Sequence, residues 1–252
     1  MSKRGFEGMA ALITGAGKRI GREIAIALAA EGANIVVHYR SSAREAEELC
    51  SQLAEYHVLS WPVKADFENA EEYETLIKRS VETAGWLDIL INSASTFFPN
   101  TLKDLEFEGL MKGMKVNAWA PLVLIRDFAR TIGQGKIINI LDTRIIGYDR
   151  SHVGYILGKH ALYTLTRMAA IDFAPHITVN AVAPGLILPP PGKDEDYLNW
   201  LANRVPLKKH GKASDITEAV IYLLKSDFVT GQVIYVDGGR HLKEFSNGPH
   251  PD

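Results

Sequence analysis

Short apolar runs alternate with longer amphipathic segments along almost the whole chain, and this alternation restricts the possible folds more than any other feature. Most runs are continuously apolar, as expected for strands buried on both faces, and the segments between them repeat apolar residues with a helical period. The predicted strands are 9–14, 34–39, 58–65, 87–92, 136–141, 177–182 and 232–236. The predicted helices are 22–31, 43–56, 71–83, 152–173, 195–203 and 214–224, with one long helix or a broken pair over 104–131. This order predicts an α/β fold with a parallel sheet of about seven strands and helices on both faces.

The composition fits one domain over residues 1–252. A chain of 252 residues, 46% of them hydrophobic, can bury a large core, and α/β folds of this length are often single domains. The net charge of −2, without a block of like charge, indicates neither nucleic-acid nor membrane-surface binding. A single cysteine, Cys50, excludes an internal disulfide, and no signal peptide or membrane span is recognisable. We therefore expect a cytoplasmic protein, with 243–252 as a mobile polar tail.

Polar residues and glycines stand where the predicted strands end. The carboxyl ends of parallel strands meet at one edge of a sheet, where ligands bind. The residues at these ends are Thr14, Asp66, Asn92, Asp142 and Pro184. Residues 15–21 form a G-x-G-x-x-x-G turn, and the helix after it would direct free backbone N–H groups at an anion. Such a turn also occurs for purely structural reasons, so its position after the first strand is what favours a ligand site.

The segment after the second predicted strand indicates which nucleotide would bind. Sites that prefer NAD place an acidic residue here to hold the ribose 2′-hydroxyl, whereas this chain has Tyr39, Arg40 and Ser41. A guanidinium and hydroxyl groups suit a 2′-phosphate, and Lys18 or Arg19 of the glycine turn would add positive charge. We therefore predict NADP(H) as the cofactor. The alternative is that Arg40 is an ordinary solvated residue.

Tyr155 and Lys159 lie four residues apart on a predicted helix, so their side chains project from the same face. A nearby ammonium favours the phenolate, so we expect Lys159 to lower the pKa of Tyr155 from about 10 toward neutrality. Tyr155 would then serve as a proton donor or acceptor, and Asp142 is a second titratable group that could face the same place. Such a pair also arises by chance on solvated helices, so its meaning depends on the rest of the chain.

Taken together, the motifs resemble those of the short-chain dehydrogenase/reductase family, in order and spacing, over nearly the whole chain. They include the turn Thr14-Gly15-x-x-x-Arg19-Ile20-Gly21, Asp66, Asn92-Ser-Ala-Ser95, Asn117, Tyr155-x-x-x-Lys159, Pro184-Gly185 and the segment 229–239. The resemblance implies a Rossmann-type, doubly wound domain that binds NADP(H) and assembles as a homotetramer. It implies cofactor contacts from Gly15, Lys18, Arg19, Ile20, Gly21, Tyr39, Arg40, Ser41, Asp66, Phe67, Asn92, Ser93, Ala94, Tyr155, Lys159, Pro184 and Gly185.

Several departures from the usual family pattern resemble the pteridine and dihydromonapterin reductases, a branch that reduces C=N bonds of pterin rings. Arg19 and Ser95 stand where the family usually has glycine, and Asp142 replaces a serine that polarises a substrate carbonyl. Phe97, shortly after the Asn-Ser-Ala-Ser segment, and the Asp-Gly-Gly-Arg-His-Leu segment at 237–242 are similar to features of the same branch.

The resemblance implies a role for each residue of the catalytic centre. Tyr155, assisted by Asp142, would protonate the nitrogen of a dihydropterin C=N bond. Lys159 would hold the nicotinamide ribose, and Asn117 would position a water in the proton path. The alternative for Asp142 is a cap or loop acid beside Arg144.

The remaining predicted site residues would bind the substrate. Phe97 would stack on the pterin ring, with Phe98 as an equal candidate for the pocket. Ser95, and also Arg19, would form hydrogen bonds with polar edges of the ring, unless Ser95 serves only the backbone geometry. No His/Cys/Asp cluster suggests a metal site, and the histidines are expected to pack or to lie on the surface.

Two other functions remain open. The first is a carbonyl reductase of the same family, acting on a 3-oxoacyl thioester, a sugar or a xenobiotic ketone. An ionised Asp142 argues against it, because a carboxylate would destabilise a developing oxyanion. The second is a cofactor-binding sensor without turnover, which the complete set Asn117, Tyr155 and Lys159 disfavours.

Overall fold

Seven strands form one parallel sheet in the part of the chain that the computed structural model describes, residues 5–190 and 192–242. The strands are β1 (Ala10–Ile13), β2 (Asn34–Tyr39), β3 (Ser60–Lys64), β4 (Ile89–Asn92), β5 (Gly135–Ile140), β6 (Ile177–Pro184) and β7 (Val233–Val236). Their order is β3-β2-β1-β4-β5-β6-β7, and Leu12 of β1 lies between Val36 and Leu90 in register. Because the strand order reverses between β1 and β4, the sheet is doubly wound, as predicted.

The helices follow the predicted order, with differences at several boundaries. They are α1 (Arg19–Ala30), α2 (Ala43–Leu53), α3 (Ala70–Glu74), α4 (Leu76–Ala84), α5 (Phe107–Met114), α6 (Ala120–Thr131), α7 (Val153–Asp172), α8 (Glu195–Ala202) and α9 (Ala213–Lys225). The helix predicted over 71–83 is divided at Thr75, whose hydroxyl donates to the Glu71 carbonyl at 2.8 Å instead of leaving the helix regular. The segment 104–131 is the broken alternative, because a π-helical turn, Lys115–Trp119, separates α5 from α6.

Each face of the sheet is covered by its own group of helices. On one face, Ile24 of α1, Leu49 of α2 and Val220 of α9 pack against Ile13. On the other face, Leu76, Leu124 and Phe128 belong to a second cluster that includes Leu12. Ile13 and Leu12 are neighbours whose side chains point to opposite faces, so the central strands are apolar on both faces over most of their length. Full burial of each such side chain stabilises the fold by about 1.5–3 kcal/mol.

Glycines bring α5 and α7 unusually close together. A Cβ on Gly113 would collide with the carbonyl of Gly154, and a Cβ on Gly158 would lie 2.7 Å from the Gly113 oxygen and 2.9 Å from Cβ of Asn117. No larger side chain fits at these positions without moving a helix. The close approach fixes the helix of Tyr155 against the turn that carries Asn117.

Two expectations about the chain outside the sheet have different outcomes. None of the described helices is long and apolar enough to cross a membrane. The predicted mobile tail at 243–252 lies outside the described residues and stays a prediction.

Candidate active site

The glycine turn between β1 and α1 is too tight for side chains. Gly15 has a φ of +66°, and a Cβ there would lie 2.9 Å from Cα of Ala94. A Cβ on Gly21 would lie 2.5 Å from the carbonyl oxygen of Gly15. Helix α1 has no side chain capping its N-terminus at Lys18 and no acidic residue in its first turn. Its first N–H groups are therefore available to an anion such as a cofactor phosphate, so this turn fits a dinucleotide.

Arg19 keeps the backbone conformation of the glycine that it replaces. Its φ is +55°, in the left-handed region, which costs a non-glycine residue roughly 1 kcal/mol or more. Its side chain is exposed beside the turn. A long cationic side chain held in an unfavourable backbone conformation is consistent with a binding role at this position.

The side chain of His38 is hydrogen-bonded to the backbone of the glycine turn, a role that the sequence did not predict. The Gly15 N–H donates to His38 Nδ1 at 2.9 Å, so His38 carries its proton on Nε2 and donates it to the Ala65 carbonyl at 3.0 Å. Its ring stacks on Phe67 with 4.7 Å between centroids. Burial lowers the pKa of His38 to about 4, so the ring is neutral near pH 7. A histidine inside an otherwise apolar strand was the available signal.

The other predicted nucleotide contacts surround this turn. Thr14 Oγ1 accepts hydrogen bonds of 2.9 Å from the N–H groups of Ser93 and Ala94, which ties the end of β4 to the turn. Gly185 approaches the chain at Asp237 so closely that a Cβ would lie 2.6 Å from its Cα. The remaining positions lie at the same edge: Ile20 on α1, Tyr39, Arg40 and Ser41 at or just after the end of β2, Asp66 and Phe67 after β3, Asn92 ending β4 and Pro184 ending β6.

The cations predicted to bind a 2′-phosphate have carboxylate neighbours. Lys18 forms an ion pair of 2.7 Å with Glu45, and Arg40 one of 3.3 Å with Glu68. Both pairs are largely exposed, so each contributes little to stability and can exchange its partner for a phosphate. Among the described residues, Arg19 forms no ion pair.

At the other end of the site, Asp142 is hydrogen-bonded to the hydroxyl of Tyr155 at 2.8 Å. Its Oδ2 also accepts from Nη2 of Arg144 at 2.7 Å, and its Oδ1 accepts from the backbone N–H and Nε of Arg144 at 2.8 and 3.0 Å. Asp142 is thus a loop acid beside Arg144 and also a hydrogen-bond partner of Tyr155, and its catalytic role stays a prediction. A carboxylate has about four lone-pair sites, and here four donors use them.

These contacts set the protonation states in a way that the spacing of Tyr155 and Lys159 did not predict. Burial and the charge of Asp142 raise the pKa of Tyr155 well above its usual value, so the expected shift toward neutrality is wrong. Burial would raise the pKa of Asp142, but the charge and hydrogen bonds of Arg144 outweigh it and lower the pKa to about 2. Lys159 donates to the Ile140 carbonyl at 2.6 Å, and burial lowers its pKa to about 8. The site thus holds an ionised carboxylate and a protonated phenol.

Arg144 lies against two aromatic rings and between two carboxylates. Its Cζ is 5.0 Å from the ring centroid of Phe97 and 5.3 Å from that of Tyr155. Its Nη1 donates to Asp149, which also bonds to Nδ1 of His152 at 3.0 Å. Sequence reasoning assigned no function to Arg144, Asp149 or His152. The alternating charges at 142, 144 and 149, shortly before Tyr155, were the signal that it left unused.

Phe97 rather than Phe98 lies beside Tyr155. The Phe97 ring meets Tyr155 edge-on at 4.8 Å between centroids and stacks on His152 at 4.0 Å. It remains 49% exposed, so aromatic surface is left for a ligand. Phe98 faces α5, where its ring lies 3.8 Å from the Cβ position of Gly109.

Asn117 and Ser95 bind each other. Asn117 is fully buried in the π-helical turn, and its Oδ1 accepts from Ser95 Oγ at 2.8 Å and from the Thr96 N–H at 3.0 Å. Its Nδ2 donates to the Thr96 carbonyl at 3.1 Å. Asn117 therefore holds the loop that carries Phe97. Its predicted water and the predicted substrate contact of Ser95 stay predictions.

The C-terminal segment 237–242 is hydrogen-bonded to the loop after Asp142. Asp237 accepts hydrogen bonds from the Thr143 hydroxyl, the Gly239 N–H at 2.9 Å and the His241 N–H at 2.6 Å. Burial lowers the pKa of Arg240 in the next turn, where the charges of Asp142 and Arg144 also act on it. The Asp-Gly-Gly-Arg-His-Leu segment therefore contacts the loop after Asp142, although it lies almost 100 residues away in the sequence.

Comparisons with known proteins cover almost the whole chain. A protein family described as enoyl-(acyl carrier protein) reductase matches residues 15–241. The 3-oxoacyl-(acyl-carrier-protein) reductase FabG of Staphylococcus epidermidis is 32% identical over 242 residues, which are 92% of this chain and 98% of that protein. A putative ketoacyl reductase 2 of the granaticin polyketide synthase from Streptomyces violaceoruber is 31% identical over 246 residues. These residues are 94% of this chain and 97% of that protein.

A similar solved structure points to a different substrate. The alternative dihydrofolate reductase 1 FolM from Brucella canis, complexed with NADP, superimposes with a TM-score of 0.91 at 28% identity. The match covers 98% of this chain and 99% of that one. The sequence relatives thus reduce carbonyl groups according to their names, whereas this structural neighbour is named as a folate-type reductase.

Proposed function

Because this chain belongs to the short-chain dehydrogenase/reductase family of NAD(P)-dependent oxidoreductases, we propose that it uses NADPH to reduce a C=N bond of a pterin. The substrate would be a dihydropteridine or a dihydromonapterin-like compound. NADP(H) is the cofactor, in agreement with the NADP complex of the structural neighbour and with the absence of an acidic residue directly after β2.

The proposal is carried by the hydrogen bond between the ionised Asp142 and the protonated Tyr155. A carboxylate without a proton only accepts hydrogen bonds, so it cannot polarise a carbonyl oxygen as a serine hydroxyl does. The raised pKa makes Tyr155 a weak acid. A weak acid suits the nitrogen of a C=N bond, because that nitrogen becomes far more basic than a carbonyl oxygen as hydride adds to the carbon.

The reaction balances as one hydride and one proton added across the double bond. When bound, NADPH supplies the hydride to the carbon. Tyr155 turns its single O–H from Asp142 to the nitrogen and transfers the proton, so C=N becomes CH–NH, and the phenolate then takes a proton from solvent. Lys159 and Arg144 place positive charge near that phenolate, at 5.9 Å and 5.3 Å from the Tyr155 ring centroid, which offsets the repulsion from Asp142.

The cofactor would be held by the glycine turn and by the strand ends around it. The phosphates would meet the first N–H groups of α1, and Arg19 and Arg40 would bind the 2′-phosphate. Lys159 would leave the Ile140 carbonyl to bind the nicotinamide ribose. Phe97 would stack on the pterin ring, for which its exposed face gives room.

The substitution Asp142→Ser tests the proposal. We expect it to lower kcat/KM for a dihydropterin by roughly 10²-fold or more, the usual contribution of a positioned acid–base group. The matched control is Asp172→Asn, which neutralises an exposed carboxylate near the end of α7. If kcat/KM for the dihydropterin with NADPH is the same in Asp142→Ser as in wild type, the Asp142 carboxylate is not needed for C=N reduction and the proposal is wrong.

A carbonyl reductase is the second candidate, favoured by the names of the sequence relatives. Single-turnover oxidation of bound NADPH separates the functions. A pterin reductase oxidises NADPH with dihydropterin, a carbonyl reductase oxidises it with a 3-oxoacyl thioester or another ketone, and a non-catalytic sensor binds NADPH without oxidising it.

The expected homotetramer is also part of the proposal. A groove of about 590 Å³ between α5, the π-helical turn and α7 is lined by Met111, Met114, Trp119, Leu122 and Leu165. An exposed apolar surface of this kind supports pairing with a second copy of the chain. Light scattering at micromolar concentration measures the assembly directly, and a monomer mass would contradict it.

A further inference from the structure

The carboxylate of Asp142 has no acceptor site left for a substrate. Four donors surround it, three from Arg144 and one from Tyr155. A substrate could bind Asp142 only by displacing one of them, which would leave a buried charged group without its partner. Asp142 therefore orients its neighbours, and another group must meet the substrate.

Arg144 has the hydrogen-bond donors that Asp142 lacks. A guanidinium has five N–H groups in a rigid plane. In the described part of the chain, Arg144 uses Nε and one hydrogen of Nη2 on Asp142, and one hydrogen of Nη1 on Asp149. A further N–H of Arg144 is hydrogen-bonded to the Tyr155 hydroxyl, so one of the five is left for a ligand. The side chain is 18% exposed beside the open face of Phe97.

The hydroxyl of Tyr155 and the guanidinium of Arg144 are adjacent, because both donate to the same oxygen of Asp142, at 2.8 and 2.7 Å. When Tyr155 turns its single O–H from Asp142 to a substrate, the two groups become neighbouring donors. The Asp142 carboxylate holds Arg144 side-on through two nitrogens, so the guanidinium has little freedom to turn. Two neighbouring donors in a fixed arrangement match two neighbouring acceptors.

We propose that Arg144 is a substrate-binding residue that selects compounds with a second acceptor atom next to the nitrogen of the reduced C=N bond. Under the proposed function, on which this inference rests, Tyr155 protonates the C=N nitrogen while Arg144 donates to a ring carbonyl oxygen beside it. A pterin has this pair of acceptors, since its 4-oxo group and N5, the C=N nitrogen of a 7,8-dihydropterin, are attached to the adjacent ring carbons C4 and C4a and lie on the same side of the molecule. A simple ketone has only one of them.

The experiment compares two substrates and three proteins with wild type. The substrates are a dihydropterin and the matching dihydropteridine without the 4-oxo group. The first variant is Arg144→Lys, which keeps the positive charge but loses the planar guanidinium and its paired N–H donors. The second is the neutral double variant Asp142→Asn/Arg144→Gln. The third is the control Arg150→Gln. Arg150 is an exposed arginine in the same loop. NADPH affinity, measured by fluorescence, checks that each variant is folded.

With the dihydropterin, we expect Arg144→Lys to lower kcat/KM by roughly 10- to 100-fold, the usual loss of a charged hydrogen bond. With the analogue that lacks the oxo group, wild type should lose a similar factor, and Arg144→Lys should change the remaining rate by no more than about threefold. The neutral pair should lose activity on both substrates, because Tyr155 loses its oriented partner.

Two results would overturn the role of Arg144. One is an unchanged dihydropterin rate in Arg144→Lys. The other is an equal loss on both substrates, which would make Arg144 a support for Asp142 only. Failure of the proposed function is a separate result, in which wild type oxidises NADPH with neither dihydropteridine but does so with a ketone.

Discussion

The two ends of the site are built in different ways. The cofactor end depends on backbone, because Gly15 and Gly21 leave no room for side chains and no side chain caps the first N–H groups of α1. The catalytic end depends on buried side chains, because Asp142, Arg144 and Tyr155 satisfy one another. The charged side chains of the first end, such as Lys18 and Arg40, are largely exposed, whereas Asp142 and Arg144 of the second are largely buried.

The difference predicts how each end responds to change. Backbone groups survive most side-chain substitutions, so the cofactor end should fail mainly where a glycine is filled or where His38 is altered. Buried charges depend on one another, so removal of one leaves its partner uncompensated. Substitutions at the catalytic end should therefore act on turnover, whereas those at the cofactor end should act on stability and on cofactor choice.

The largest effect should come from Tyr155→Phe. Loss of the proton donor should lower kcat by roughly 10²- to 10⁴-fold with a dihydropterin or a ketone. NADPH affinity, measured by fluorescence titration, should remain within about threefold of wild type, because the glycine turn is untouched. If Tyr155→Phe lowered NADPH affinity by as large a factor as kcat, the two ends of the site would not be independent.

The pH dependence of stability should come from the cofactor end. Burial lowers the pKa of His38 from 6.5 to about 4, so below pH 6.5 the unfolded chain binds a proton that the folded chain does not. Stability is therefore complete above pH 6.5 and falls by roughly 3 kcal/mol as the pH decreases to 4. The catalytic end keeps its charge over this window, since the pKa of Asp142 is about 2.

Urea unfolding between pH 4 and 7 measures this slope. The variant His38→Gln should be less stable at pH 7 but should lose most of the slope, whereas the exposed His176→Gln should keep the wild-type slope. An unchanged slope in His38→Gln would assign the acid sensitivity to other groups.

The smallest effect should come from Arg40→Ala. Loss of an exposed guanidinium should reduce the preference for NADPH over NADH by roughly tenfold, mostly through KM for NADPH. Its partner Glu68 would remain and repel a 2′-phosphate. Arg44→Ala, which removes an exposed arginine from α2, is the control. Equal use of both cofactors by wild type would refute the assignment of Arg40.

Much of the fold and part of the site followed from sequence patterns. The strand predicted over 34–39 matches β2 residue for residue, because a continuous apolar run in a parallel sheet has clear ends. The break in 104–131 could not be placed, because the π-helical turn at 115–119 depends on how Asn117 binds a loop 20 residues earlier. Predicted strand ends brought Asp142 and the glycine turn to one edge of the sheet correctly.

The protonation states could not be predicted in the same way. Spacing alone suggested that Lys159 would lower the pKa of Tyr155, because the two side chains share a helix face. In the folded chain, Lys159 turns to the Ile140 carbonyl, and Asp142 becomes the nearest charge to the phenol. A pKa depends on burial and on distances of a few ångström, which a sequence does not contain.

The sequence by itself determined the doubly wound sheet, the glycine turn and the identity of the residues at the strand ends. These features depend on local periodicity and on residues that lack side chains, so nearby residues are sufficient to specify them. Only the tertiary structure decided that Arg144 saturates Asp142, that Phe97 rather than Phe98 contacts Tyr155, and that His38 supports the glycine turn. The contacts of Phe97 and His38 join segments that are distant in the chain, and the geometry of all three exists only once the helices have packed on the sheet.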